Sequence, residues 1–264
     1  AKTVILATGG KSYPATGSTG DGYKLAKALG HAVVTPRPAL VPLETEGAAA
    51  QQMAGLTLKN VSASVWINGK KKADDFGELT FMEFGLSGPI VLTLSRMVVN
   101  ELQKNNRVEI AVDLKPALDG QKLDNRLIRD LSENGKKKLR NIFDNWLPKA
   151  MIPAFIGMLE IDADKECHQV SSADRKKIRC LLKNLRFKIT GHRSFKEAIV
   201  TAGGIPVNEV FPKTMESKQI SGLFLAGEVL DLDADTGGYN LQIAFSTGWA
   251  AGNSCMKKFK HSDG

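Results

Sequence analysis

The sequence predicts a mixed α/β protein in which one sheet-forming domain is split between the two ends of the chain. A β-rich domain and a small helical insertion lie between the halves. Three observations carry this prediction. Two short apolar runs, residues 3–7 and 223–226, each give way to a glycine turn, as buried parallel strands do. Residues 36–116 contain stretches that alternate apolar and polar with a period of two, and residues 117–184 carry four apolar stripes at helical spacing.

Residues 1–35 form the first part of the split domain. The run 3–7 reads as a strand and Thr8-Gly9-Gly10 as its turn. The turn-rich stretch 16–22 leads into a short helix with Asp21 as N-cap, Leu25, Ala26 and Leu29 inward, and Gly30 as its stop. Pro36, Pro38 and Pro42 then break any helix and open the β-rich domain, 36–116. Val61, Ala63, Val65 and Ile67 alternate with Ser62, Ser64 and Trp66, and Asn68-Gly69 is a hairpin signal. Gly88-Pro89 opens a helix to about residue 102, with Pro89 at its first position, and Val108, Ile110 and Val112 return to a strand.

In the helical insertion, 117–184, Leu123, Leu127 and Leu131 share one face. The second stripe is Leu139, Ile142, Phe143 and Trp146, the third Ile152, Phe155, Ile156 and Leu159, and the fourth Ile178, Leu181, Leu182 and Leu185. Core packing accounts for all four. Residues 185–205 supply return strands to the β-rich domain. Residues 206–264 complete the split domain with a strand at 223–226, a loop at 231–238 and a helix from about 241 to 256.

Composition narrows the function classes. At 264 residues, 42% hydrophobic and 24% charged, the chain is an ordinary globular protein able to bury a sizeable core. No apolar run approaches the ~18 residues of a membrane-spanning helix, and the opening residues are expected to be structure rather than a secretory leader. Cys167, Cys180 and Cys255 form no C-x-x-C pair, which argues against disulfides and zinc and for a reducing cytoplasm. The four histidines, His31, His168, His192 and His261, show no metal-ligand spacing, so no metal site is expected. A net charge of +8 can attract phosphate-bearing partners. The basic runs at 70–72, 136–138 and 175–177 are short, however, and no aromatics interleave them, so they read as solvated lysine faces rather than a nucleic-acid interface.

The strongest local signal is the strand–loop–helix unit at 223–242. Gly237 and Gly238 lack Cβ atoms, so backbone amides at a helix N-terminus can approach a bound group closely. Ligands of open α/β sheets sit at such carboxyl ends of strands. Glu228 could accept hydrogen bonds from hydroxyls of a sugar or ribityl chain, or serve as an ordinary cap or loop acid. Thr8-Gly9-Gly10 carries the same two readings. The helix places Leu241, Ala244, Phe245, Gly248, Trp249 and Gly252 on one stripe, whose small residues would let it lie close against a sheet.

These segments resemble known motifs. TVILATGG (3–10) resembles the second dinucleotide-fold motif of two-domain flavoproteins, and GLFLAGE (222–228) their C-terminal flavin motif. With the stretches 7–31, 38–45, 84–89, 201–218 and 222–252 in order, the chain is similar to the aminoacetone-oxidase-like, NAD(P)/FAD-dependent oxidoreductases of bacteria. ATGG and TGDG give a weaker likeness to fumarate-reductase and aspartate-oxidase flavoproteins. The resemblance implies a split Rossmann-like FAD-binding domain, with FAD passing hydride between NAD(P)H or a small organic substrate and its ring. It puts Thr8, Gly9 and Gly10 at the cofactor's border and Glu228 toward its ribityl or pyrophosphate region. Gly238, Tyr239, Asn240, Leu241 and Gln242 would approach the flavin ring, with Gly227 and Gly237 beside them.

Two departures accompany the resemblance. The family's opening strand–turn–helix with G-x-G-x-x-G, and its later ribose-binding acid, are not among these residues. The chain is therefore expected to start inside its cofactor domain, completed by a missing N-terminal segment or a second chain. Alternatively it is a fragment without stable FAD binding, acting as a structural or partner-dependent module. Many relatives also carry Thr-His after the position of Phe81, where Met82-Glu83 stand here, so no catalytic residue is assigned. Glu83 reads as a replacement acid or a surface strand acid, Lys213 as a flavin charge partner or a loop lysine, and His192 as a site residue or a surface turn.

Overall fold

A computed structural model describes residues 1–261, and the final three residues of the 206–264 segment lie outside the described residues. In chain order the elements are β1 (Val4–Leu6), α1 (Asp21–Ala28), β2 (Val34–Ala39), β3 (Leu43–Thr45), α2 (Ala49–Gln52), β4 (Thr57–Ile67), β5 (Lys70–Met82), β6 (Gly85–Ser87) and α3 (Pro89–Gln103). They continue with β7 (Val108–Asp113), α4 (Gly120–Glu133), α5 (Ile152–Leu159), α6 (Ser172–Lys183), β8 (Leu185–His192), β9 (Val200–Gly204), β10 (Leu223–Leu225) and α7 (Gly237–His261). The chain divides into two units: Ala1–Pro42 with His192–Gly264, and Leu43–Gly191.

The second unit is a closed barrel of strand order β3-β6-β5-β4-β7-β8. Its alternating strands bury one face each: Val61, Ala63, Val65 and Ile67 from β4 meet Val108, Ile110 and Val112 from β7 and Phe187 from β8. Closure removes sheet edges that would otherwise expose unpaired N–H and C=O groups. The β4–β5 hairpin turns at Asn68 (φ 49°) and Gly69 (φ 78°), the left-handed pair a type I′ turn needs. Pro89 opens α3, which buries Ile90, Val91, Leu94 and Val98 against the barrel core.

Two helical expectations need correction in this unit. The stripe Leu139, Ile142, Phe143, Trp146 is buried, but residues 139–145 form a 3-10 turn rather than an α-helix. The Leu139 and Arg140 amides donate to the carbonyls of Lys165 and Ala163, so the segment's first hydrogen bonds go across the chain. The last stripe also breaks: α6 ends at Lys183, and Leu185 begins β8. Asp119 caps α4 through the Lys122 amide, and Ser171 with Asp174 makes a capping box on α6.

The first unit pairs segments from both ends of the chain. β1 and β10 run parallel, in register Val4↔Leu223 to Leu6↔Leu225, while β2 pairs antiparallel with β9. Residues 185–205, read as strands of one domain, therefore serve two: β8 closes the barrel and β9 joins β2. The terminal helix begins at Gly237, earlier than sequence suggests. Its orientation is also reversed from expectation for most of the stripe. Leu241, Phe245 and Trp249 are exposed, and nothing lies within 4 Å of a Cβ built on Gly248 or Gly252. Ala251 and Ala250 pack inward instead, and the Thr247 hydroxyl accepts the Gly227 N–H at 2.9 Å.

Candidate functional site

Parallel pairing sends β1 and β10 out at the same sheet edge, so Thr8-Gly9-Gly10 and Gly227-Glu228 leave side by side, with Ala226 N–H donating to Leu6 O. Gly9 (φ 72°) and Gly227 (φ 76°) supply the left-handed turns there. Gly10 is needed for a different reason. A Cβ on it would stand 2.5 Å from Thr201 Oγ1 and 2.7 Å from Glu228 Oε1. Gly22, in the first turn of α1, likewise admits the Thr8 hydroxyl, which a Cβ would meet at 1.9 Å.

Thr201, in β9, joins these pieces. Its Oγ1 accepts the amides of Lys11 (2.8 Å) and Ser12 (3.1 Å) and shares a proton with Ser12 Oγ (3.1 Å). The Thr201 amide donates to Glu228 Oε1. Burial pushes the Glu228 carboxyl above its ordinary value, and the bonds from Thr201 pull part of the way back. Tyr23 donates its hydroxyl to the Glu228 carbonyl at 3.2 Å, and burial drives its ionisation to higher pH.

Glu228 opens onto a cavity of about 250 Å³. Gly237, Asn240 and Leu241 line it as well, together with residues not expected at a site: Ile199, Val200, Leu232, Ile243 and Ala244, the last read from sequence as a packing residue. The walls are mostly aliphatic, the one carboxylate is Glu228, and Gly237 brings the N-terminal end of α7 to the lining, while the Tyr239 and Asn240 amides are bonded to Thr236. Such a site suits a partly apolar group carrying hydroxyls.

The remaining sequence candidates fall elsewhere. Thr8, Gly9, Gly10 and Gly227 form the turns beside the cavity rather than its lining, and neither Gly238 nor the exposed Tyr239 and Gln242 lines it. Asn240 has a second duty: its amide donates to Ala234 O and Thr236 O and accepts from Ala234 N, pinning the loop onto α7. Lys213 is exposed, Glu83 sits exposed in the β5–β6 turn, and His192 Nδ1 faces the Arg193 carbonyl. Thr201, Ser12 and Tyr23 were missed. Of the three, only Thr201 carries a sequence signal, a hydroxyl inside the apolar stretch 198–202.

A second polar row lies in the same unit. Buried His31 places Nδ1 2.6 Å from Glu209 Oε2 and Nε2 2.9 Å from Ser217 Oγ. The Ser217 oxygen accepts the amides of Gln219 and Ile220, which fills its lone pairs and leaves its proton for Nε2. Ser217 thus has no free lone pair to attack with, and the row ties the segment after α1 to the one preceding β10. Among the described residues no group of three or more His, Cys, Asp or Glu is arranged to hold a metal, and no helix is long and apolar enough to cross a membrane.

Comparison with known proteins adds the family. Residues 37–200 match the family described as HI0933-like protein barrel and H2TH domain. The chain is 30% identical over 258 residues to the 3-dehydro-bile acid delta(4,6)-reductase of Clostridium scindens, covering 98% of this chain and 63% of that protein. It is 32% identical over 257 residues to the ribosomal RNA dihydrouridine synthase of Haemophilus influenzae, covering 97% and 61%, and 31% identical over 250 residues to that of Escherichia coli, covering 94% and 59%. The chain spans about three-fifths of the length of these curated relatives.

Proposed function

The chain belongs to the HI0933-like family, and from that premise we propose that it is part of a flavin-dependent reductase saturating a carbon–carbon double bond conjugated to a carbonyl. The names of its relatives meet in that chemistry: a 3-oxo Δ4,6 bile acid and a uracil ring each carry such a bond. The observation that carries the reading is the convergence of two parallel strand ends, the Glu228 carboxylate and the α7 N-terminus on one aliphatic cavity.

These residues fit the ring and polyol portion of FAD. The cavity lies below the roughly 300–1,000 Å³ of a complete ligand pocket, so the nucleotide end would be held by further polypeptide. Bound FAD would supply two-electron hydride chemistry, with NAD(P)H as reductant. Glu228 would accept a ribityl hydroxyl, the N-terminal end of α7 would favour negative charge on the ring, and Ile199, Val200 and Leu232 would exclude water.

In this reading β1 and β10 are neighbouring strands of a split Rossmann-like sheet that continues beyond β1. The far side of β10 is occupied, with Leu225 N–H donating to Met215 O and Ser217 N–H to Leu223 O. Val4 (49% exposed) and Ile5 (41%) leave β1 only partly covered, whereas parallel strands are ordinarily covered on both faces. A missing segment or a second chain would supply the next strand, and the three free thiols suit a reducing cytoplasm. The test is to titrate FAD into this chain and into the product of its complete reading frame, following flavin fluorescence. NADH, NADPH, a 3-oxo-Δ4,6 steroid and a uridine-containing RNA are then added under anaerobic conditions. A complete protein that takes up no flavin would refute the proposal.

A further inference from the structure

We propose that Thr201 is the positioning residue of this site, the side chain that fixes the Gly9–Gly10 turn and the Glu228 carboxylate in one geometry. The inference rests on the flavin reading above and extends it to a residue that touches neither cavity nor solvent. Thr201 is 1% exposed in an otherwise apolar stretch, where valine would fill the same space. What valine could not do is visible in the hydrogen-bond inventory. A hydroxyl has two lone pairs and one proton. The amides of Lys11 and Ser12 fill the lone pairs of Thr201, and its proton is shared between Ser12 Oγ and the Glu228 carboxylate. This hydroxyl therefore serves both the turn that follows β1 and the acid that follows β10.

The other end of the same residue reaches the other strand. The Thr201 amide donates to Glu228 Oε1, at the end of β10. The turn after β1 and the acid after β10 are thus held through a single residue of β9. Gly10 makes the arrangement possible, because a Cβ there would occupy the space used by both Thr201 Oγ1 and Glu228 Oε1. Removing the hydroxyl leaves the buried Ser12 amide and the part-buried Lys11 amide unpaired, and the turn must shift to satisfy them. Glu228 would then lose the fixed wall against which its carboxylate is set.

The test compares Thr201→Val with Thr201→Ser in the complete protein, each with and without Glu228→Gln. Flavin affinity is read by fluorescence titration and the unfolding equilibrium by urea titration. Thr201→Val is expected to weaken flavin binding at least tenfold, and Thr201→Ser to stay within about threefold. In the Glu228→Gln background the further loss from Thr201→Val should fall below threefold, because the group being positioned has gone. Equal effects of Thr201→Val in both backgrounds would overturn the proposal, since a merely structural hydroxyl behaves that way. If the wild type binds no flavin, the functional reading fails by itself. The positioning assignment is then decided by the unfolding constants, where coupling between Thr201→Val and Glu228→Gln supports it and strict additivity overturns it.

Discussion

Replacing Gly248 and Gly252 by alanine tests the orientation of α7. Both lie inside a 25-residue helix, neither has a positive φ, and an added Cβ would find nothing within 4 Å. No steric term therefore offsets the helix-propensity gain, which is about 0.8–1 kcal/mol for each glycine. The double substitution should stabilise the first unit by about 2 kcal/mol. That corresponds to roughly 8 °C in midpoint for a domain of that size. The assay is urea and thermal unfolding of the 264-residue chain, followed by far-UV circular dichroism at low protein concentration. A loss of stability, or no change, would refute the outward placement of this face, where Phe245 is 68% and Trp249 74% exposed. The same pair becomes a probe of the proposed completion of the sheet. If additional polypeptide packs on these glycines, the two methyl groups should stabilise the 264-residue chain and destabilise the complete protein.

Three further outcomes are expected. Gly10→Ala should cost about 2–4 kcal/mol, since its methyl collides with the Thr201 hydroxyl and the Glu228 carboxylate and leaves buried polar groups unpaired; wild-type urea stability would mean the turn is built differently. Asp130→Ala should cost about 2–4 kcal/mol in the barrel unit, because Trp146 Nε1 loses its 2.8 Å partner and the Arg126 guanidinium loses its carboxylate; the check is the urea midpoint. For Glu216, burial raises the carboxyl, but the Gly222 amide and the Lys258 ammonium outweigh it and hold it below its ordinary value of 4.5. Its contribution is thus present above pH 4.5 and lost as pH falls through the lowered folded value. The stability difference between wild type and Glu216→Gln should be full at pH 7 and shrink below pH 4, and a pH-independent difference in urea melts would contradict the assignment.

The barrel strands were legible because their information is local. Val61 to Ile67 alternates at the strand period, and Asn68-Gly69 carries the only turn conformation that pair favours. The glycine-bearing strand ends were legible for the same reason. The stripe at 139–146 misled because apolar residues three apart fit a 3-10 turn as well as an α-helix, and distant carbonyls at 163 and 165 decided between them. In α7 the small and aromatic residues share one face, and sequence alone cannot say whether glycine marks close packing or its absence. Thr201 was hidden for a related reason: the value of its hydroxyl depends on amides 189 and 190 positions away.

The two-part construction of the first unit has a consequence for the order of events during synthesis. Strands β3 to β8 emerge as one continuous block, so the barrel can close before β10 exists. β1 has no such opportunity, since its parallel partner lies at Leu223–Leu225, and His31 waits similarly for Glu209 and Ser217. At the usual ~5–20 residues per second, the edge of β1 that pairs with β10 stays open for roughly ten to forty seconds. Through that interval an apolar strand end is available to any neighbouring nascent chain. A ribosome-paused or stop-codon-shortened product ending before residue 223 would keep it available permanently, and should be found with chaperones or in inclusion bodies.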